Sequence, residues 1–164
     1  MSFYQLKTEQ LIPATIDSLW KFISDPRNLE KITPKSMGFK IRTCPDGPMY
    51  PGMIIEYQVK PLLGIPTRWV TEITIVKEKH YFVDEQRVGP YAMWHHEHIL
   101  ETMGDKTKMT DIVSYKVPFG IFGKLAHLLI IRRKLNAIFS HRKKVLENLY
   151  PENESTDGSK NVGN

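Results

Sequence analysis

The spacing of apolar residues changes period along the chain, and the changes mark its elements. Phe3–Leu11 reads as a first strand, closed by Pro13. Ile16, Leu19, Trp20 and Ile23 then recur at helical spacing. Asp25-Pro26 is a cap followed by proline in the first turn, so a second short helix is predicted through Ile32, with Pro34 ending it. From Phe39 the period is two. Strands are predicted over Phe39–Cys44, Met53–Lys60, Thr67–Lys77, Tyr81–Val88, Tyr91–Thr102 and Thr107–Val117. Between them lie Pro45-Asp46-Gly47-Pro48, Pro61 to Gly64, Gly89-Pro90 and Gly104-Asp105. Connections this short make neighbouring strands antiparallel.

After Pro118-Phe119-Gly120 a long amphipathic helix runs to about Tyr150. Its predicted apolar stripe is Ile121, Leu128, Ile131, Leu135, Ile138, Phe139, Leu146 and Leu149. Beyond Pro151 the chain is polar, so residues 1–150 are expected to form one domain and 151–164 a disordered tail. An antiparallel sheet with one wet face needs a cover for the other, and only the last helix is long enough. The expected architecture is α+β: a curved antiparallel sheet wrapped around a long C-terminal helix, with two short helices after the first strand.

Alternation sorts each strand into two faces. The predicted inward sets are Met53, Ile55, Tyr57 and Val59; Trp69, Thr71, Ile73 and Ile75; Phe82, Asp84, Gln86 and Val88; Trp94, His96, His98 and Leu100; and Met109, Asp111, Val113, Tyr115 and Val117. This inward face is apolar at its ends and polar in the middle. A two-residue turn at Gly104-Asp105 pairs Met103 with Lys106, which sets His98 opposite Asp111 and Trp94 opposite Tyr115. Across Gly89-Pro90, Asp84 falls opposite His96 or His98. The result is a row, Asp84–His96/His98–Asp111, across three strands. Such a row is a self-satisfied buried network, the polar anchor of a ligand pocket, or an acid–base pair. Two histidines and an aspartate could also meet a metal ion, but the spacing is generic and no metal or cofactor is expected. Arg142 falls near the centre of the helix stripe, either snorkelling to the rim or paired with an inward carboxylate.

Charge modifies the picture only slightly. The 164-residue chain carries a net charge of +5. Seven Lys/Arg against one acid, Glu147, lie between Phe119 and Tyr150. No aromatic platform is interleaved with them, so nucleic acid is not expected as a partner. On this reading the cations form a solvated face, and attachment to anionic lipid is marginal because no exposed apolar anchor accompanies them. No secretory signal or membrane span is expected, and Cys44 is alone, which fits a cytoplasmic protein.

Several runs carry a family resemblance. They are Ser24-Asp25-Pro26-Arg27-Asn28-Leu29, Phe82-Val83-Asp84-Glu85-Gln86, Gly89-Pro90-Tyr91, Trp94-His95-His96-Glu97-His98 and Val117-Pro118-Phe119-Gly120. Together with the element order they resemble the START-like (Bet v 1-like, SRPBCC, polyketide cyclase/dehydrase) superfamily, and within it a bacterial branch labelled cell-division-inhibitor-like. The resemblance implies a helix-grip fold with a cavity between sheet and last helix. It supplies no shared catalytic set. The function expected is binding of a small hydrophobic or amphipathic molecule, or a lipid. Tyr57, Trp69, Thr71, Phe82, Asp84, Gln86, Trp94, His96, His98, Asp111 and Tyr115 are the candidate ligand-binding residues. A cyclase/aromatase-like or hydrolytic enzyme using the same row is the alternative, and an interaction module with a collapsed cavity is a second.

Overall fold

The computed structural model describes residues 3–61 and 64–152; the expected tail beyond 152 lies outside them. Seven strands, β1 (Phe3–Ile12), β2 (Lys40–Thr43), β3 (Met53–Val59), β4 (Thr67–Lys77), β5 (Tyr81–Val88), β6 (Met93–Met103) and β7 (Lys106–Lys116), form one antiparallel sheet in the order β1-β7-β6-β5-β4-β3-β2. The excursion between β1 and β2 is helical. Thr15 caps α1 (Ile16–Ile23) by accepting from the Ser18 amide, and Leu19, Trp20 and Ile23 enter the core. Asp25 likewise accepts from the Arg27 amide over a 3-10 turn at Pro26–Asn28, which leads into α2 (Leu29–Ile32).

Two β-bulges reassign residues that strict alternation places inward. Ile73 pairs with Asp84 but Ile75 pairs with Val83, so Thr74 is the extra residue. Ile75 therefore turns out to solvent, and Val76, paired with Phe82, takes the inward position. Likewise Arg87 is extra on β5, and Val88 is exposed opposite Val70. Elsewhere the register agrees with the sequence reading. Met103 meets Lys106, His98 meets Asp111, Trp94 meets Tyr115, and Asp84 meets His96.

The last helix crosses the concave face as α3 (Gly120–Ala126), a π turn (His127–Ile131) and α4 (Arg132–Leu149). Its buried positions are Gly123, His127, Ile131, Leu135, Phe139, Arg142 and Leu146. Extending the phase of Leu135, Phe139, Arg142 and Leu146 back at about 3.6 residues per turn predicts Leu128 and Ile121 inside. The wider π turn brings His127 and Gly123 inside instead. Leu128, Ile121 and also Leu149 are exposed, which corrects the predicted stripe at both ends. Gly123 is required where it stands, since a Cβ there would lie 1.9 Å from the Pro118 carbonyl oxygen. The helix can thus start close against the end of β7.

Candidate functional site

Between the concave sheet and the last helix lies a cavity of about 430 Å³. Its walls are largely apolar, as small-molecule sites usually are. Tyr57 and Trp69 stack at 6.0 Å, and Trp94 meets Trp69 edge-on at 5.3 Å. Phe82 and Thr71 complete the sheet side, with Leu135 and Phe139 facing them from α4. Thr71 draws two polar edges together, with its hydroxyl 2.7 Å from the Tyr57 hydroxyl and accepting from the Trp69 indole N–H at 3.1 Å. Burial and the nearby Asp84 charge push the Tyr57 phenol well above its ordinary pKa, so it stays neutral.

Asp84, His96 and His98 form the polar part of the wall, and Asp111 stands behind them. The opposed pairs across the strands are Asp84/His96 and His98/Asp111, yet the hydrogen bonds run along the diagonals. His98 Nε2 lies 2.9 Å from Asp84 Oδ2, and His96 Nε2 lies 3.0 Å from Asp111 Oδ1. The other ring nitrogens are close to the remaining carboxylates: His96 Nδ1 is 3.3 Å from Asp84 Oδ2 and His98 Nδ1 is 2.9 Å from Asp111 Oδ1. From the helix, Arg142 Nη1 sits 3.2 Å from Asp111 Oδ1, while Nη2 lies 3.4 Å from His98 Nδ1. Arg142 therefore does not snorkel; it is buried against the row.

The carboxylates act on each imidazole against the cost of burial. His98 Nδ1 stands between the Asp111 carboxylate at 2.9 Å and Arg142 Nη2 at 3.4 Å, and its Nε2 faces Asp84 at 2.9 Å. Burial and the neighbouring His96 charge lower the His98 pKa against the pull of the carboxylates, which favours its neutral form. Burial opposes charging at His96 as well, but Asp84 and Asp111 together outweigh it and its pKa is raised. Burial would likewise raise both carboxyls. For Asp84 the two imidazoles overcome it, and for Asp111 Arg142 leads and the imidazoles assist, so both remain ionised. Two anions, Asp84 and Asp111, face Arg142 and His96, the imidazole whose charged form the site favours. The buried cluster is balanced.

The same arrangement weighs against a metal. Asp84, His96 and His98 offer ligand atoms within 4.8 Å of one another, as a donor set would. His96 Nε2 and His98 Nδ1 face Asp111 and Arg142, which lie outside that set, and the Arg142 guanidinium adds a positive charge beside it.

Three candidates do not border the cavity. Gln86 closes the β5–β6 turn instead, with Nε2 donating to the Tyr91 carbonyl and Oε1 accepting from the Tyr91 amide. Asp111 supports the histidines from the far side and lines a smaller cleft next to β1. The Tyr115 hydroxyl lies 2.9 Å from His127 Nε2, and that imidazole stacks on Tyr4 at 3.5 Å. In exchange, the cavity takes in Tyr91, Phe39 and the inner faces of the two short helices, including Phe22 and Leu29. Their helical spacing and the strand-start aromatic were visible signals. That Tyr91 would point inward from a turn was not.

Solved structures resemble this chain over most of its length. A START superfamily protein from Mycobacterium smegmatis is 14% identical with a TM-score of 0.66, over 89% of this chain and 96% of that one. Ara h 8.0201 is 15% identical with a TM-score of 0.61, over 90% and 99%. A norcoclaurine synthase from Thalictrum, bound to a transition-state analogue, is 18% identical with a TM-score of 0.65, over 90% and 96%. At such identities the likeness is one of fold, and the chain has the helix-grip fold of the Bet v 1/START superfamily. No protein-family model matches it, and neither does any curated protein.

Proposed function

We propose that the chain binds a small, mainly apolar molecule bearing one hydrogen-bond acceptor in the cavity under the last helix. The observation that carries this reading is the coincidence of an aromatic-walled space of about 430 Å³ with the polar corner formed by Asp84, His96, His98 and Arg142. That volume lies within the range of small-ligand sites, roughly 300–1,000 Å³. Within the corner, Arg142 Nε is buried with no hydrogen-bond partner among the described residues, and a buried donor left so costs about 1–3 kcal/mol. Arg142 borders the cavity, so its positive charge favours a carbonyl or carboxylate oxygen of the ligand at this corner. An acid–base enzyme is less well supported, because the imidazoles spend their hydrogens on Asp84 and Asp111.

The test is titration with a fluorescent fatty acid and a polycyclic hydrocarbon lacking any acceptor. Saturable binding is expected for both, tighter for the fatty acid, and Trp94→Ala should weaken both while the far-ultraviolet dichroism is unchanged. A protein that binds neither would end the reading and favour an interaction module.

A further inference from the structure

The start of the last helix presents an apolar surface that none of the described residues covers. Phe119, Ile121, Phe122, Leu125, Leu128, Leu129 and Ile130 are between 41% and 79% exposed. Five of them make one stripe: Ile121, Leu125 and Leu128 at i, i+4 and i+7, joined by Phe122 and Leu129. Scattered exposed apolar residues are ordinary, whereas a contiguous patch marks an interaction surface. The π turn produces it, by giving the inward positions to Gly123 and His127. Phe119 adds backbone strain, holding φ 68° in the left-handed region while its ring stays in solvent.

The charges beside the stripe say what it meets. Arg132 and Arg133, both exposed, follow Leu128 and Leu129 by four residues, and Lys124 flanks them. No Asp or Glu occurs between Asp111 and Glu147. An apolar face with basic neighbours and no acids is the composition of a helix that lies in an anionic membrane interface. A second copy of the chain fits less well, because a two-fold contact through this face would bring the two basic sets together. The face is also continuous with the cavity, since Phe119 and Phe122 both line it.

We propose that residues 119–133 dock this domain onto anionic lipid surfaces with the cavity mouth against the bilayer, so that the apolar ligand enters and leaves through the membrane. The docking is peripheral, and no helix among the described residues is long and apolar enough to cross. It reverses the expectation of a merely solvated cationic face, which assumed that Ile121 and Leu128 point inward. The route for the ligand rests on the cavity-binding reading; the docking does not.

Co-sedimentation with ligand-free vesicles tests the docking by itself. At about 0.15 M salt the protein should pellet with phosphatidylcholine vesicles containing phosphatidylglycerol and roughly tenfold less with phosphatidylcholine alone. Leu125→Glu with Leu128→Glu should abolish pelleting and leave binding of the soluble fluorescent probe unchanged, as neither residue lines the cavity. Arg132→Glu with Arg133→Glu should lower it by about tenfold or more. Absence of vesicle binding by the wild type, or binding indifferent to the leucine changes, would overturn the proposal. So would a dimer in sedimentation velocity that the leucine changes dissociate. Probe binding without vesicle binding would remove the docking and keep the cavity reading. Vesicle binding without probe binding would do the reverse.

Discussion

The two ends of the last helix are built from similar apolar residues and do opposite things. In α4, Leu135, Phe139 and Leu146 are buried against the sheet, and the polar residue on the same stripe, Arg142, is bonded to Asp111 and His98. In α3 and the π turn, only Gly123, His127 and Ile131 are buried, and Ile121, Phe122, Leu125, Leu128 and Leu129 are mostly exposed. Hydrophobicity alone does not distinguish the two ends; phase does. One wider turn moves the apolar stripe off the core for the first part of the helix, so that one end holds the fold and the other is free to meet a partner.

The largest effect expected from this contrast is at Arg142. Arg142→Met keeps the stem but removes the cation facing Asp111, and uncoupling a buried pair costs about 3–5 kcal/mol. Leu125→Ala, at the other end, should stay within about 0.5 kcal/mol of the wild type. Urea denaturation of both variants gives the two numbers. Combining Arg142→Met with Asp111→Asn should recover part of the loss, since the anion goes with the cation. Equal losses at Arg142 and Leu125 would mean that the two ends share the load.

A smaller effect is expected where the ends are joined. Gly123→Ala places a methyl 1.9 Å from the Pro118 oxygen, so the first turns must lift from β7. Overpacking of this kind costs typically about 1–3 kcal/mol. The variant should lose stability and also change vesicle binding, because lifting α3 re-aims Phe122 and Leu125. Unchanged stability would show that α3 is not pressed against the sheet.

Much of this could be read from the residues. Alternation and the Gly104-Asp105 turn gave the register that brings Asp84, His96, His98 and Asp111 together, because a two-residue turn leaves a hairpin little freedom. Caps at Thr15 and Asp25 were equally legible. What failed has a common cause, an extra residue inserted into a regular repeat. Bulges at Thr74 and Arg87 turned Ile75 and Val88 outward, and the π turn did the same to Ile121 and Leu128. Such insertions have no local sequence signal, since the neighbouring layer selects them. Arg142 was ambiguous for a related reason: its partners come from β6 and β7, forty-odd and thirty-odd residues away in sequence.

The smallest expected effect concerns pH, and it again separates the ends. His96, raised in the fold by Asp84 and Asp111 despite burial, contributes fully below about pH 6.5, and that contribution fades as pH rises through its raised value. His98, lowered by burial and by His96, contributes fully above about pH 6.5 and loses that contribution as pH falls through its depressed value. Asp84 and Asp111, both held low, follow the same sense as His98, starting to lose their part below about pH 4. The two imidazole contributions are both complete only at about pH 6.5, so stability should peak there. It should fall on the alkaline side through His96, and on the acid side first through His98 and then more steeply through the carboxylates. His96→Gln should remove the alkaline fall and leave the acid one. At the other end, burial and Arg132 keep His127 neutral, so it should stay unprotonated from neutral pH upward and add nothing to the alkaline limb. Imidazole chemical shifts followed by nuclear magnetic resonance resolve the three directly. His96 must titrate above the ordinary imidazole value, with His98 and His127 below it. If His96 and His98 titrate together, the balanced arrangement of two anions and two cations does not hold.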